Sequence, residues 1–100
     1  MYSSQVFEVL TDPEFDAWLD RLGDVRAQRR IADRLLRVAG GLMGDVKYLQ
    51  GIGEMRVDYG PGYRLYFVTR RRRVIILLCG GDKRSQKRDI ARAVELAREY

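Results

Sequence analysis

The sequence contains no histidine and a single cysteine, Cys79, in 100 residues. One cysteine cannot form a disulfide within the chain, and the lack of histidine excludes a Cys/His zinc site. The Cys-His and Ser-His pairs that activate many nucleophiles are excluded for the same reason. Because no activating base is visible for it, Cys79 is interpreted as an inert packing residue. We therefore expect no metal site and no cysteine nucleophile.

Long apolar stretches are also missing. The longest run, Val74 to Cys79, is far shorter than the roughly 20 residues that span a bilayer. The opening residues MYSSQVFEVL lack the cationic start and the apolar core of a secretory signal. We expect no membrane association and a cytoplasmic location.

Cations are what the chain has in excess. It carries 19 Lys and Arg against 14 Asp and Glu, a formal net charge of +5, and 46% of its residues are hydrophobic. This composition is typical of a folded chain, and its length predicts one domain, residues 1–100, with one core. The positive charge suits a polyanion such as nucleic acid or an acidic protein, and charge alone does not choose between them.

Hydrophobic periodicity predicts the element order β-α-α-β-β-β-β-α. A short strand at residues 5–10 leads into a helix that Thr11 or Asp12 caps. A second helix at about 25–39 follows closely, so the two helices form a hairpin. The predicted inner stripe of the second helix is Ala27, Ile31, Leu35 and Val38, widened by Ala32 and Leu36.

Arginines crowd the opposite face of the second helix. They are Arg26, Arg29, Arg30, Arg34 and Arg37. A charged helix face is most often simply solvated, and a docking surface for an acidic partner is the alternative interpretation.

The second half of the sequence predicts a sheet and a last helix. The strands are expected at 46–49, 54–59, 63–69 and 74–79, and the helix at about 84–98. Asp82 is the expected cap of this helix. Because the connections between the strands are short, we expect an α+β fold with a mainly antiparallel sheet and the helices on one face of it.

The turn Gly60-Pro61-Gly62 predicts the strand register. A three-residue loop keeps the apolar side chains on one face, beneath the helices. The expected pairs on that face are Tyr59–Tyr63, Val57–Leu65 and Met55–Phe67. The expected pairs on the other face are Arg56–Tyr66 and Asp58–Arg64, and the next hairpin pairs Arg64 with Cys79 and Tyr66 with Leu77.

The second face of this sheet is expected to be open and cationic. On it, bases can stack on Tyr66, and the guanidinium groups of Arg56 and Arg64 can hold phosphates. Lys83 and Lys87 follow the last strand and border the same patch. Such a surface suits RNA or single-stranded nucleic acid. The alternative interpretation is that Arg64 only forms a cross-strand ion pair with an aspartate.

The stretches GPGYRLYF and LLCGGDKRSQKRDI, with the helix pair before them, resemble the RelE/ParE superfamily of bacterial type II toxins. The HigB-like addiction-module killer proteins are the most similar branch. The resemblance covers nearly the whole chain. It implies a RelE-like fold, with a helix hairpin and a C-terminal helix on a small, twisted, mainly antiparallel sheet. It also implies a cytosolic toxin without a cofactor, silenced by a cognate antitoxin that is a helix-turn-helix protein from the adjacent gene.

Two activities occur among these toxins. In the RelE and HigB branches the toxin cleaves mRNA in the ribosomal A site, and in the ParE branch it poisons DNA gyrase. The resemblance therefore implies a metal-independent endoribonuclease whose partners are the ribosome and mRNA. A non-enzymatic inhibitor that binds DNA gyrase is the alternative.

The resemblance also implies roles for individual residues. The implied catalytic set is Arg64, Lys83 and Arg56, and the implied substrate contacts are Tyr66, Arg84 and Lys87. Where RelE has a tyrosine in the last helix, this chain reads Asp89-Ile90, so the acid and the base stay open. Arginine cannot serve as a base, because it does not deprotonate in proteins. The candidates are Lys83, Lys87, Glu54, Asp58, Asp82 and Tyr66.

Overall fold

A computed structural model describes residues 6–100. Its elements are β1 (Glu8–Thr11), α1 (Pro13–Arg21), α2 (Val25–Ala39), β2 (Val46–Leu49), β3 (Ile52–Val57), β4 (Tyr63–Arg70), β5 (Val74–Gly81) and α3 (Gln86–Ala97). The predicted α+β class and element order are confirmed. The predicted beginning of the first strand at residue 5 lies outside the described residues.

Aspartates begin the first two helices. The Asp12 carboxylate accepts the backbone N–H of Glu14 at 2.8 Å, at the start of α1. The Asp24 carboxylate accepts those of Arg26 and Ala27 at 3.0 and 3.1 Å, at the start of α2. These bonds satisfy N–H groups that have no partner within the helix.

The last helix begins later than predicted. Ser85 is at its N-cap position, so the prediction that Asp82 caps the helix is wrong. The Asp82 carboxylate instead accepts the backbone N–H groups of Arg84 at 2.9 Å and Ser85 at 3.3 Å. It therefore closes a turn between β5 and α3.

The sheet has the strand order β1-β5-β4-β3-β2. The pairs β2–β3, β3–β4 and β4–β5 are antiparallel, as predicted, and β1 adds to β5 in parallel. The sheet is therefore mixed, and β5 is flanked by a strand on each side.

The predicted register is wrong in both hairpins. Val57 pairs with Tyr63 and Met55 with Leu65, so the connecting loop spans 58–62 and is longer than expected. The backbone of this loop bonds within itself, because the Gly62 N–H binds the Tyr59 carbonyl at 3.1 Å. The apolar residues still share a face, because a shift by two positions preserves side-chain direction.

The second hairpin differs for another reason. Arg64 pairs with Gly81 and Tyr66 with Cys79, and the register shifts between Tyr66 and Phe67. A β-bulge of this kind adds one residue, Leu78, to β5, so that Leu78 and its neighbour Cys79 both belong to the cluster beneath α3. The two expected pairs, Arg64 with Cys79 and Tyr66 with Leu77, are therefore wrong.

Helices cover both faces of the sheet, not one as expected. Residues of α1 and α2 pack on one face in the cluster Phe15, Ile31, Val38, Met55, Val57, Leu65, Phe67, Ile75 and Leu77. Residues of α3 pack on the other face in the cluster Ile52, Tyr66, Val68, Ile76, Leu78, Cys79, Ala93 and Leu96. The strand β5 is apolar on both sides because it is covered on both sides.

The C-terminal end of α3 is held by side chains from the sheet edge. Arg70 donates to the carbonyls of Ala97 at 3.2 Å and Tyr100 at 2.9 Å. The Tyr100 hydroxyl donates to the Asp12 carboxylate at 2.5 Å. The last helix is thereby tied to the residue that begins α1.

Arg34 does not belong to the solvated face of α2, where it was expected. It is 6% exposed, and its guanidinium donates to the backbone carbonyls of Met43, Asp45 and Arg56 at 2.5, 3.1 and 3.2 Å. Burial lowers its pKa, and the nearby charge of Arg37 acts in the same direction. Arg34 therefore joins α2 to β3 and to the loop that precedes β2.

Ala32 and Leu36 were expected to widen the inner stripe of α2, and this is also wrong, because both are exposed, Leu36 by 71%. Arg34 is among the buried residues of the helix, together with Ala27, Ile31 and Val38.

We predict that Arg34→Met lowers the free energy of unfolding by about 3 kcal/mol, because interior carbonyls lose a charged donor. Urea unfolding measures the change. The control is Arg29→Met, on the exposed side of the same helix. A loss no larger than that of the control would contradict the anchoring role of Arg34.

Candidate functional site

A fully buried carboxylate lies in the middle of the β3–β4 ladder. Glu54 is 0% exposed and is paired with Tyr66 on the facing strand. Its Oε2 accepts the Tyr66 hydroxyl at 3.1 Å and the Gln86 side-chain amide at 2.8 Å. A charge removed from water requires such donors. The first residue of α3 therefore contributes directly to the environment of Glu54.

Two arginines flank this carboxylate. Arg56 Nε lies 3.7 Å from Oε1 of Glu54, and Arg64 Nε lies 3.8 Å from Oε2. The arginines are cross-strand neighbours, and like charges directly opposite each other repel. The Glu54 carboxylate between them offsets this repulsion.

The ion pairs leave hydrogen-bonding capacity unused. Glu54 Oε1 and Arg64 Nε are the two buried side-chain atoms within residues 6–100 that have no hydrogen-bond partner. The Arg64 side chain is otherwise oriented by its Nη1, which donates to the Gly62 carbonyl at 3.0 Å. Unpaired buried polar atoms are rare in folded proteins and often mark a functional site.

A cavity of about 320 Å³ opens beside these arginines. It is lined by Asp45, Arg56, Val57, Asp58, Gly62, Tyr63 and Arg64. Within residues 6–100 Arg64 forms no ion pair with Asp58, so the cross-strand pair considered from the sequence is wrong. The guanidinium groups of Arg56 and Arg64 are the donors that this cavity offers to an anion.

The other predicted cations lie just beyond this cluster. Lys83, Arg84 and Lys87 are exposed and follow Gly81, the ladder partner of Arg64. Arg84 forms an ion pair with Asp82 at 3.6 Å. The side chains of Lys83 and Lys87 form neither an ion pair nor a hydrogen bond with the described part of the chain. The structure thus brings Arg56 and Arg64 together and places the other three nearby in sequence.

Tyr66 was expected on an open face, and this expectation is wrong. It is 0% exposed and lies in the apolar cluster beneath α3. Burial, and next the negative charge of Glu54, raise the pKa of Tyr66. The hydroxyl therefore stays protonated as a donor to Glu54, and the ring is not available for stacking on a base.

From the sequence, Glu54 was only one of six candidates for the acid or the base, and Gln86 was not predicted to belong to the site. The signal for Glu54 was present in the strand IGEMRV, where alternation places Glu54 and Arg56 on one face. Gln86 carried no such signal, because its contact with Glu54 depends on where α3 packs.

The glycine pair after the last strand has a packing explanation. A Cβ at Gly80 would overlap the ring of Trp18, and a Cβ at Gly81 would overlap the carboxylate of Asp89. The Trp18 ring leaves no room for a side chain at Gly80, whereas a side chain at Gly81 would displace the side chains of Asp89 and Ser85. A second cavity of about 260 Å³ lies here, between α1 and α3.

Cys79 lies outside the candidate site and is 5% exposed. Burial, and next the charge of Asp89, raise the pKa of its thiol to about 12. The expectation that Cys79 is a packing residue is consistent with this environment, because the thiolate is the reactive form.

Residues 6–100 contain no group of three or more Cys, Asp or Glu side chains placed to hold a metal ion. No described helix combines the length and the apolarity that crossing a membrane requires.

The fold is compatible with a RelE-like fold, and comparison with known proteins defines the family. Residues 17–99 match the family described as Phage derived protein Gp49-like (DUF891). An uncharacterized protein of Haemophilus influenzae is 43% identical over 93 residues, which cover 92% of this chain and 94% of that protein. The chain belongs to the Gp49-like family, a type II toxin family of the RelE/ParE type. Membership of a toxin family indicates a cognate antitoxin as partner.

We predict that Tyr66→Ala destabilises the protein by roughly 3–5 kcal/mol, as expected for a buried aromatic ring. Tyr66→Phe keeps the ring and removes one donor from Glu54, so its loss should be about 1–2 kcal/mol. Urea unfolding of both variants measures the difference. If the urea midpoint of Tyr66→Ala equalled that of the wild-type protein, the Tyr66 ring would not be part of the core.

We also predict that stability falls as the pH rises above about 9, where the thiol of the unfolded chain ionises and the buried Cys79 does not. Above that pH the unfolded state binds fewer protons, so the free energy of unfolding decreases. Urea titrations of wild type and Cys79→Ala at several pH values test this. The variant should show a flatter decrease up to about pH 10, where tyrosines begin to titrate. Equal slopes would contradict the prediction.

Proposed function

We propose that the chain is a HigB-like toxin that cleaves translated mRNA on the ribosome without a metal ion. The observation that carries this proposal is the buried Glu54 carboxylate, whose Oε1 has no hydrogen-bond partner in residues 6–100 and which lies between Arg56 and Arg64. Membership of a RelE/ParE-type toxin family supports it.

The reaction requires few groups. A ribose 2′-hydroxyl loses its proton and attacks the adjacent phosphorus, and the bond from phosphorus to the 5′-oxygen breaks. The products are a 2′,3′-cyclic phosphate and a 5′-hydroxyl. The enzyme must accept one proton, return one to the leaving oxygen and stabilise charge on the phosphate.

Glu54 is the proposed base. Its Oε2 accepts hydrogen bonds from Tyr66 and Gln86, while Oε1 accepts none and has only the ion pair with Arg56. Tyr66 therefore positions the carboxylate from within the core and does not contact the substrate.

Arg64 and Arg56 are the proposed phosphate ligands. The Arg64 side chain is 13% exposed, its Nη1 is held by the Gly62 carbonyl, and its buried Nε forms an ion pair with Glu54 but no hydrogen bond. The Arg56 side chain is 45% exposed and can follow the substrate. A guanidinium held in place before the reaction gains interaction energy as negative charge builds on the phosphate.

The exposed cations after β5 complete the proposed site. Lys83 is the proposed acid for the leaving oxygen, and Arg84 and Lys87 the proposed contacts to neighbouring phosphates. They follow Gly81, which pairs with Arg64. Exposed side chains of this kind are not fixed in one geometry, so their effect is smaller than that of Arg64.

The ribosome is the proposed means of orienting the substrate. Because the Glu54 carboxylate is fully covered, the 2′-hydroxyl reaches Oε1 only when the half-exposed Arg56 side chain beside it moves away. An mRNA held by the ribosome reaches the site in a defined orientation, and such positioning lowers the barrier substantially. The proposed partners are therefore the ribosome with its mRNA, in the cytoplasm, and a helix-turn-helix antitoxin from the adjacent gene.

We predict that Glu54→Gln and Arg64→Ala each reduce mRNA cleavage by about 10²–10³ while the protein stays folded. Arg64→Lys should restore little, because a point charge does not replace a planar fork of donors. Primer extension on a reporter mRNA in a purified translation system measures the cuts, with a ribosome-free reaction alongside. Arg98→Ala, an exposed arginine at the end of α3, is the control and should cut like wild type.

Two results would contradict the proposal. Equal cuts from wild type and Glu54→Gln would remove Glu54 as the base. No cuts from soluble wild-type protein, together with inhibited supercoiling by DNA gyrase, would assign the chain to the gyrase inhibitors.

A further inference from the structure

The turn between β4 and β5 consists of arginines in an unfavourable backbone conformation. Arg71 has φ 54° and Arg72 has φ 62°, in the left-handed region that residues with a Cβ rarely occupy. The flanking pair is Arg70 with Val74. Hairpin turns that require positive φ usually contain asparagine and glycine.

The neighbouring hairpin follows this preference more closely. The turn between β2 and β3 also has two residues at positive φ, Gln50 at 50° and Gly51 at 82°, and places glycine at the second position. The chain thus uses glycine in one such turn and arginine at both positions of the other. Arginine therefore occupies both positive-φ positions of the β4–β5 turn despite the backbone preference.

These arginines are unused by the fold. Within residues 6–100 the side chains of Arg71, Arg72 and Arg73 form no ion pair and no hydrogen bond, and all three residues are exposed. Arg70 differs, because its guanidinium binds carbonyls at the end of α3. Three unpaired cations therefore stand together at the tip of the β4–β5 hairpin.

The tip is far from the candidate cleavage site. Arg64 pairs with Gly81 at one end of this ladder, and Arg70 pairs with Val74 at the other. Six residue steps at about 3.3 Å each separate them, which is roughly 20 Å. The tip and Arg64 therefore cannot contact the same nucleotide.

We propose that Arg71, Arg72 and Arg73 form a second RNA-binding surface that anchors the protein to the structured RNA of the ribosome. This inference rests on the proposed ribosomal function. A guanidinium group can bind a phosphate through two parallel hydrogen bonds. Such contacts position a protein on RNA without reading its sequence. Protein interfaces combine arginine with aromatic residues and Met, whereas residues 71–73 supply arginine alone, which is sufficient for contacts to a phosphate backbone.

The test is a double variant, Arg71→Asn with Arg72→Gly, made in the Glu54→Gln background so that RNA is not cut. Binding to purified ribosomes is measured by sedimentation across a series of salt concentrations. The double variant should bind at least about tenfold more weakly. The magnitude of the slope of log K against log salt should fall by about 2, the change expected when two phosphate contacts are lost. Its urea midpoint should rise, because the turn loses backbone strain. The charge-matched control Arg26→Gln with Arg98→Gln should keep the wild-type slope.

The outcomes separate this inference from the proposed function. Unchanged affinity and slope in the double variant would overturn the RNA-binding surface, whether or not the wild-type protein cuts mRNA. Weaker binding to the antitoxin with unchanged binding to ribosomes would overturn it in favour of an acidic protein partner. Tip-dependent ribosome binding would support it even if primer extension showed no cuts from wild-type protein.

Discussion

The carboxylate of Glu54 can remain buried only if its neighbours hold it, and much of the structure follows from that requirement. Tyr66 must face it across the ladder, which sets the β3–β4 register, and Gln86 must reach it, which places the beginning of α3. The negative charge also allows Arg56 and Arg64 to be cross-strand neighbours. Because a buried charge without partners is strongly unfavourable, the residues that stabilise this part of the fold are also those that form the candidate site.

Local patterns were sufficient to predict the elements but not their pairing. Helix α2 was predicted with its observed bounds, because its apolar period and its terminal Asp24 and Gly40 are local signals. The β3–β4 register was predicted two positions away, because the loop closes through a backbone bond between Gly62 and Tyr59. Side-chain alternation carries no information about such bonds, and a shift by two leaves every apolar residue on its expected face.

The sequence predicted only the part of the candidate site that follows from local patterns. Arg56 and Arg64 were expected on one face of the sheet, and alternation along the strands is enough to place them there. The prediction that Tyr66 is exposed was wrong, because its burial depends on the face of the sheet that α3 covers. That packing is not encoded in the local pattern of the strand. Arg34 was assigned to solvent by its position on the helix, while its partners are carbonyls of Met43, Asp45 and Arg56, distant in sequence.

The burial of Arg34 also affects the electric field around the site. Its guanidinium is bound by carbonyl dipoles and forms no direct ion pair within residues 6–100, and the nearby charge of Asp45 offsets its own charge only in part. Arg34 lines a groove of about 320 Å³ whose charged residues are four arginines, Arg30, Arg34, Arg37 and Arg56, and two aspartates, Asp45 and Asp58. In the low-dielectric interior its potential is less screened than that of a surface charge. A residue that joins a helix to a strand thereby raises the positive potential on the side of the molecule where Arg56 lies, and an approaching polyanion is attracted by a charge that it never contacts.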